Sequence, residues 1–261
     1  MQFNTIEVRR KGRLLTLALN RPDDLNAVNL RLHEELADVF VWADGDSDSD
    51  VVVLTGNGKA FSAGGDFSHI QNLAANPDLF DEEIRLARRI VGSILDMQKP
   101  LVCRLNGHAV GLGATLALFC DVIFAADSAK IGDPHVSVGL TAGDGGAIIW
   151  PQLIGVHRAK EFLLTGQVLS ATDAAQLGLV NHVLPIEELD EAVDAYCDKL
   201  LSGPQLAIRN TKELLNAPLK VLVDSLLGRG LELEKKTLQS EDHREALAAL
   251  KEKRRPRFKG A

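Results

Sequence analysis

The chain has 261 residues, of which 46% are hydrophobic and 25% are charged, a balance typical of a globular protein that is long enough to bury a sizeable core. A formal net charge of −7 argues against nucleic-acid binding, which favours a basic face. Its three cysteines, Cys103, Cys120 and Cys197, lie in separate apolar stretches without a CxxC motif, so we expect buried thiols rather than a disulfide framework or a zinc site.

No membrane or export signal is visible at the sequence level. Residues 1–4 lack the charged and apolar regions of a signal peptide, and the longest apolar stretch, residues 109–119, is much shorter than the roughly 20 residues of a membrane span. We therefore predict a cytoplasmic protein that has no membrane partner.

The first third of the chain alternates between strand and helix patterns. Strands are predicted at residues 6–8 and 14–19 and again at 51–55, with a helix at 29–42 that carries apolar side chains on one face. A glycine-rich turn at 63–66 follows the third strand and leads towards another helix.

The same unit then recurs. A helix is predicted at 81–97, since Lys99 and Pro100 stop it. A strand at 101–105 then precedes a glycine-rich helix at 109–119 and a strand at 122–125. This recurrence of strand, glycine turn and helix predicts an α/β fold built from repeated ββα-like turns.

Beyond Pro185 the pattern becomes helical throughout. Amphipathic helices are predicted at residues 186–201, 205–215, 219–238 and 241–253. This predicts a helical C-terminal region whose apolar faces are suited to assembly.

The two glycine-rich segments are candidates for binding a developing negative charge. Each follows a hydrophobic strand and precedes a helix, where N-terminal backbone N–H groups have no helical acceptor. Two such groups that meet at one carbonyl oxygen form an oxyanion hole. The alternative is that these glycines serve only tight turns and helix packing.

Two nucleotide-binding motifs are disfavoured. Residues 56–60 lack the Ser or Thr and the spacing of a P-loop, and residues 111–116 lack the third glycine of a dinucleotide fingerprint. A third glycine-rich segment holds His135 and Asp144, an imidazole and a carboxylate suited to acid–base chemistry. Each also has a structural interpretation, since histidines are often core residues and aspartates are common in turns.

Taken together, the segments closely resemble the crotonase (enoyl-CoA hydratase/isomerase) superfamily over nearly the whole chain. The segments that carry the resemblance are residues 19–22, 25–27, 53–56, 59–66, 106–113, 120–121, 164–166, 174–180, 240–242 and 252–260.

The resemblance implies a crotonase-like spiral of ββα repeats over residues 1–195, with the acyl-CoA site, and a helical trimerisation region over 196–261. It implies a homotrimer or homohexamer, and an oxyanion hole formed by the N–H groups of Gly65 and Leu112 around a thioester carbonyl. It also implies that CoA is part of the substrate, with no further cofactor and no metal. The residues implied to contact CoA are Leu25, Asn26, Ala63, Gly64 and Asp66, together with Phe258 and Lys259 in the basic tail.

The sequence departs from the family pattern at the acid–base positions. Typical enoyl-CoA hydratases use two glutamates, and at the matching positions this chain has Thr115 and His135. Threonine does not ionise near neutral pH, so water addition by paired carboxylates is not supported. His135 and Asp144 instead match catalytic residues of the superfamily's β-diketone C–C hydrolases, and His33 matches a site histidine of that branch. Val28, however, replaces a tryptophan of that branch.

Three hypotheses follow. The leading one is an acyl-CoA enzyme of the hydratase/isomerase type, in which Gly65 and Leu112 polarise the thioester while His135 and Asp144 move a proton. The second is a C–C bond hydrolase in which His135, oriented by Asp144, activates water. The third is a catalytically silent crotonase-fold binding protein. His33 is either a site residue or a core histidine, and we expect pocket walls from residues 67–80 and 148–150.

Overall fold

The computed structural model describes residues 2–261, which form two β-sheets surrounded by helices. The strands are β1 (Ile6–Lys11), β2 (Leu14–Leu19), β3 (Val51–Gly56), β4 (Ala60–Ser62), β5 (Leu101–Leu105), β6 (His108–Val110), β7 (Val122–Ala126), β8 (Lys130–Gly132), β9 (Val168–Ser170) and β10 (His182–Leu184). The helices are α1 (Leu30–Asp44), α2 (Phe67–Ala75), α3 (Phe80–Asp96), α4 (Leu112–Leu118), α5 (Gly146–Ile154), α6 (Val156–Thr165), α7 (Ala171–Leu177), α8 (Ile186–Leu201), α9 (Gln205–Leu238) and α10 (Glu241–Lys251).

The larger sheet has six strands in the order β1-β2-β3-β5-β7-β10, parallel except for the β1–β2 hairpin. Every residue of β3 is buried. This burial explains why residues 51–54 of β3 are an unbroken apolar run, because parallel strands that are covered on both faces carry no polar alternation.

The smaller sheet, β4-β6-β8-β9, contains the short strand that follows each of β3, β5 and β7. Each repeat therefore contributes one strand to each sheet, and the first two repeats then continue into a helix. The predicted α/β fold with ββα repeats is confirmed.

The predicted helix at residues 109–119 is partly wrong. Ala109 and Val110 belong to β6, and α4 begins only at Leu112. Gly111 stands at the junction with a φ of 54°, a left-handed conformation that glycine adopts at little cost and that lets the chain turn sharply from strand to helix. The early start was predicted because apolarity continues from the strand into the helix.

The helices predicted at 205–215 and 219–238 are a single helix, α9, with Pro218 inside it. Proline removes one helical hydrogen bond. Buried contacts on both sides of Pro218 keep the helix continuous. On the N-terminal side, the side chains of Lys212 and Asn216 donate to backbone carbonyls of residues 99 and 95, and on the C-terminal side Leu227 is buried.

Within residues 2–261 we find no helix with the length and apolar character that a membrane crossing requires. All three cysteines are buried and unpaired, as predicted. The division at residue 195 and the assembly as a homotrimer or homohexamer stay predictions.

Candidate functional site

A cavity of about 260 Å³ lies between the first glycine turn, helices α2 and α3, the loop after β8 and the C-terminal helices α9 and α10. Its walls are mostly apolar, and its polar side chains are a group around His135, a group around His33, and His243. The walls therefore come from both parts of the predicted division, since α9 and α10 lie beyond residue 195.

Gly65 and Leu112 both line this cavity, and neither backbone N–H has an acceptor among residues 2–261. Val28 pairs with Gly65 as a parallel bridge: the Val28 N–H donates to the Gly64 carbonyl (2.7 Å), and the Asp66 N–H donates to the Val28 carbonyl (2.9 Å). This pairing turns the Gly65 N–H away from Val28. Leu112 is the first residue of α4, where the N–H has no acceptor within the helix.

The two glycine turns are in direct contact. A Cβ atom built on Gly64 would lie 2.7 Å from the Val110 carbonyl oxygen and 3.7 Å from the Cα atom of Gly111, so a side chain at position 64 would force the turns apart. Gly65 and Leu112 each follow a glycine of this contact by one residue. The predicted oxyanion hole is therefore compatible with the geometry and stays a prediction.

His135 lies beside the second turn, in a short 3-10 helix that spans His135–Val138. Its Nδ1 donates a short hydrogen bond to Asp133, while its Nε2 lies 3.9 Å from Asp144 Oδ2 and 3.9 Å from Glu234 Oε1. A Cβ atom built on Gly111 would lie 3.5 Å from His135 Cε1, so the imidazole packs next to the start of α4. Asp133 thus orients the ring, and the opposite nitrogen faces two further carboxyl groups.

Asp144 is buried and held by two donors. The hydroxyl of Thr115 donates to Asp144 Oδ1 (3.1 Å), as does the N–H of Gly146 (3.4 Å), while Oδ2 has no hydrogen bond within residues 2–261. Thr115 therefore positions the Asp144 carboxylate. The structure brings the predicted pair of His135 and Asp144 together.

Glu234, on α9, is a site residue that the sequence analysis missed. It lines the cavity 99 residues after His135, and its Oε2 has no hydrogen-bond partner in the described part of the chain. The available signal was its position in an apolar stripe, between Leu231 and Leu238, which are both buried.

The pKa shifts of this group follow from burial and from neighbouring charges. Burial disfavours the charged form of His135, but Asp133, Asp144 and Glu234 outweigh it and hold the pKa of His135 well above its usual value. Burial raises the pKa of Asp144, and it raises the pKa of Glu234 to about 8, with the nearby carboxylates adding to the effect. The two pKa shifts act in the same direction, since both favour the protonated form, an imidazolium at His135 and a neutral carboxyl group at Glu234.

A second polar group faces the same cavity. The carboxylate of Glu83 bonds to His33 Nδ1 (2.7 Å) and to His69 Nε2 (3.1 Å), and all three side chains line the cavity. Burial opposes ionisation of Glu83, but the two histidine hydrogen bonds lower its pKa to about 2. His33 therefore reaches the cavity as part of a network, and the sequence analysis missed Glu83 and His69.

The residues predicted to contact CoA fall into different environments. Ala63 and Gly64 line the cavity, and Leu25 is exposed nearby, with its carbonyl accepting from the Ala63 N–H (3.0 Å). Asn26 is fully buried, and its side chain bonds to the backbone of residues 21, 57 and 60. Asp66 caps the N-terminus of α2. The side chains of Asn26 and Asp66 thus shape the turn.

Phe258 and Lys259 lie on an exposed tail. The Lys259 N–H donates to the carboxylate of Asp242 (2.6 Å), which anchors the tail at the start of α10, one residue before the cavity-lining His243. Neither Phe258 nor Lys259 lines the cavity of the single chain, and their predicted contact with CoA stays a prediction.

Ligand atoms of Asp133, His135 and Asp144 all lie within 4.8 Å of one another, close enough to share a cation. The Asp133–His135 hydrogen bond already engages one atom of each partner. The prediction that the enzyme needs no metal stays a prediction.

The predicted pocket walls are half correct. Phe67, Ile70, Leu73 and Phe80 line the cavity. Residues 148–150 do not line it, because α5 turns them into the core, where Trp150 is fully buried.

Comparison with known proteins gives a consistent result. A family model described as enoyl-CoA hydratase/isomerase matches residues 9–261. A crotonyl-CoA hydratase of Syntrophomonas wolfei is 34% identical over 259 residues, which cover 99% of each chain. The crystal structure of an enoyl-CoA hydratase/isomerase from Mycobacterium paratuberculosis superposes with a TM-score of 0.91 at 40% identity, covering 95% of this chain and 99% of that one. The crystal structure of an enoyl-CoA hydratase from Bacillus anthracis gives a TM-score of 0.79 at 32% identity, covering 99% of this chain and 100% of that one.

Proposed function

This chain belongs to the enoyl-CoA hydratase/isomerase family, and from that premise we propose that it binds an acyl-CoA thioester and moves a proton at the carbon next to the carbonyl. The N–H groups of Gly65 and Leu112 bind the thioester oxygen as it gains negative charge in the enolate. The supporting observation is that both N–H groups lack an acceptor beside His135.

The acid–base chemistry is assigned to the group around His135. A carboxylate, Asp144, takes the proton from the carbon, and the electron pair of the C–H bond moves into the enolate. The imidazolium of His135, oriented by Asp133, then returns a proton to the α or the γ carbon. With a thioester that carries a β,γ double bond, removal of the α proton gives a dienolate, and protonation at its γ carbon moves the double bond to the α,β position. An isomerase reaction therefore fits this pair better than water addition by two glutamates.

The remaining parts of the proposal concern CoA and assembly. CoA passes along Leu25 and the turn of Ala63 and Gly64, with the basic tail near its phosphates. The chain assembles as a homotrimer or homohexamer, which is supported by highly exposed apolar side chains on α9, such as Leu206 and Leu214.

One observation favours a second candidate, a C–C bond hydrolase acting on a β-diketone. Asp133 holds His135 through Nδ1, which leaves Nε2 facing Asp144 and Glu234, and a carboxylate-oriented imidazole in its neutral form activates water in hydrolases. In this reaction water adds to a ring carbonyl, the C–C bond breaks, and the released carbanion takes a proton.

Exchange of hydrogen for deuterium at the α carbon tests the leading proposal directly. The protein is incubated with butyryl-CoA in D2O, and label in the acyl group is measured by mass spectrometry. We expect exchange by the wild type, and His135→Ala and Asp144→Asn should each lower the rate by roughly 100- to 10,000-fold, the usual size of an acid–base contribution. His157→Ala, which changes an exposed histidine on α6, serves as the matched control.

Two other outcomes separate the alternatives. Ring opening of 1,3-cyclohexanedione without exchange of butyryl-CoA would favour the C–C hydrolase. Tight binding of butyryl-CoA with neither reaction would favour the catalytically silent binding protein and would contradict the roles given to His135 and Asp144.

A further inference from the structure

The loop that joins the two acid–base residues, residues 136–143, is held by the C-terminal helices α9 and α10. His243 of α10 donates from its ring Nδ1 to the Val138 carbonyl (2.7 Å), and Thr237 of α9 accepts from the Thr141 N–H through Oγ1 (3.0 Å). These partners lie 105 and 96 residues apart in the chain. Within the described part of the chain, the loop makes hydrogen bonds with no other residue that is distant in sequence.

The backbone of the loop also touches both helices directly. A Cβ atom built on Gly139 would lie 2.9 Å from the backbone nitrogen of His243, and one built on Gly230 would lie 2.6 Å from the Gly143 carbonyl oxygen. No side chain therefore separates the loop from the start of α10 or from α9 at these two points.

One face of α9 carries both the contacts to the loop and a carboxyl group of the site. Gly230, Glu234 and Thr237 follow one another at helical spacing, so they lie on the same face of the helix. Glu234 Oε1 lies 3.9 Å from His135 Nε2. Movement of the loop relative to α9 would change this distance.

His135 is directly connected to the part of the loop that His243 holds. It begins the 3-10 helix that ends at Val138, so the carbonyl that accepts from His243 is one turn away from the imidazole. The Leu140 N–H also donates to the His135 carbonyl (2.9 Å). A shift of Val138 is therefore passed to His135 through a single turn of backbone.

We propose that His243 and Thr237 are positioning residues, which fix the loop against the C-terminal helices and thereby set the position of His135 relative to Asp144 and Glu234. The proposal rests on the proton transfer proposed above and gives α10 a role in it. Neither side chain is assigned a contact with the reacting atoms. Positioning of this kind matters because a displacement of about 1 Å can cost on the order of 100-fold in rate.

Substitution of His243 separates the effect of the hydrogen bond from that of the ring. His243→Leu removes the donor to Val138, whereas the amide nitrogen in His243→Asn is as many bonds from the backbone as Nδ1 and can donate in its place. At saturating butyryl-CoA, His243→Leu should lower the rate of deuterium exchange roughly 10- to 100-fold, while His243→Asn should stay within about 3-fold of the wild type. The dissociation constant of butyryl-CoA should change by about 3-fold at most in either variant.

Asn216→Leu is the matched control. Asn216 is another buried donor on a C-terminal helix, its side chain donates to the Leu95 carbonyl (3.0 Å), and it does not line the cavity. This variant should exchange deuterium at the wild-type rate. Equal losses in Asn216→Leu and His243→Leu would overturn the proposal, because they would reflect a general loosening of the C-terminal helices. Wild-type exchange by His243→Leu, or equally slow exchange by His243→Leu and His243→Asn, would also overturn it.

The pKa of His135 in the free protein gives a readout that does not depend on turnover. Burial lowers this pKa, but Asp133, Asp144 and Glu234 outweigh burial and raise it. A loosened loop would move the imidazole away from Asp144 and Glu234. In protein with 15N-labelled histidine, the pKa of His135 should therefore be lower in His243→Leu than in the wild type and should be restored in His243→Asn. Equal values in His243→Leu and the wild type would contradict the positioning role.

Thr237→Val covers the case in which His243→Leu does not fold. Valine keeps the shape of the side chain but lacks the Oγ1 that accepts from the Thr141 N–H, so the pKa of His135 should fall in this variant too. An unchanged pKa in Thr237→Val would count against the proposal. Absence of exchange by the wild type would instead contradict the proton transfer proposed above, while the pKa differences would still support the positioning role.

Discussion

Two buried glutamates face the same cavity and differ in charge. Glu83 accepts hydrogen bonds from two histidines, and its pKa is lowered to about 2. Glu234 makes no hydrogen bond through Oε2, has Asp144 and Asp133 nearby, and its pKa is raised to about 8. Burial raises the pKa of both carboxyl groups. The two histidines outweigh this effect at Glu83, whereas the nearby carboxylates add to it at Glu234.

The difference in charge gives the two groups different roles in one cavity, one structural and one in proton transfer. The paired carboxylate fixes the orientation of His33 and joins three helices, while the group around His135 retains protons that can be transferred. Asp144 Oδ2 and Glu234 Oε2 are both buried without a partner in the described chain, a condition that a stabilising network would avoid.

The largest effect on stability is expected from Glu83→Gln. The folded pKa of about 2 lies below the ordinary glutamate value of 4.5, so the ionised group stabilises the fold above about pH 4.5. Near neutral pH the variant should lose about 3 kcal/mol of unfolding free energy, measured by urea denaturation. The loss should shrink as the pH falls towards 2, because the wild type then becomes protonated as well.

Glu82→Gln provides the control for this experiment, since Glu82 is adjacent on α3 but exposed and paired only with Arg85. It should leave the unfolding free energy nearly unchanged. An equal loss in both variants, or a loss in Glu83→Gln that does not depend on pH, would contradict the paired-carboxylate description.

Glu234→Gln should change the unfolding free energy in the opposite direction, towards greater stability. The folded pKa of about 8 lies above 4.5, so the folded protein retains a proton that the unfolded chain releases, and wild-type stability falls as the pH rises towards 8. Since glutamine has no proton to lose, the stability of the variant should not fall in this way. The difference in unfolding free energy between variant and wild type should therefore grow by about 2 kcal/mol from about pH 6 to pH 8. Urea denaturation at several pH values measures this difference.

Glu232→Gln is the corresponding control, because Glu232 is exposed two residues earlier on α9 and pairs with Arg229. No pH-dependent gain is expected there. A constant difference between Glu234→Gln and the wild type across this range would show that Glu234 is ionised in the folded protein.

Much of the fold could be predicted from local sequence. The apolar runs of β2 and β3, the glycine turns and the helical C-terminal region follow from composition and periodicity, and the segments around His135 and Asp144 could be identified because the two lie close in sequence. The boundary at Gly111 and the continuity across Pro218 could not, because tertiary packing determines both.

The missed glutamates illustrate the limit of sequence reading. Glu83 lies in the stripe of Phe80, Ala87 and Ile90, and Glu234 lies in the stripe of buried leucines on α9, so both are acids at core positions of an amphipathic helix. This pattern indicates a buried carboxylate. It does not indicate which residues lie opposite, and those residues set the charge.

The smallest effect is expected from Thr115→Val, which removes the hydroxyl that donates to Asp144 Oδ1. The cost in unfolding free energy should be about 1 kcal/mol, the usual worth of one hydrogen bond. Thr55→Val should cost a similar amount, since the buried Thr55 hydroxyl donates to the Arg104 carbonyl (2.9 Å) away from the cavity.

The two variants should differ in activity. The hydrogen bond from Thr115 lowers the pKa of Asp144 in the wild type, so its removal in Thr115→Val raises that pKa and should move the acid limb of deuterium exchange to higher pH. An unshifted profile in Thr115→Val would mean that Asp144 is not the base, since Thr115 acts on the reaction only through that carboxylate.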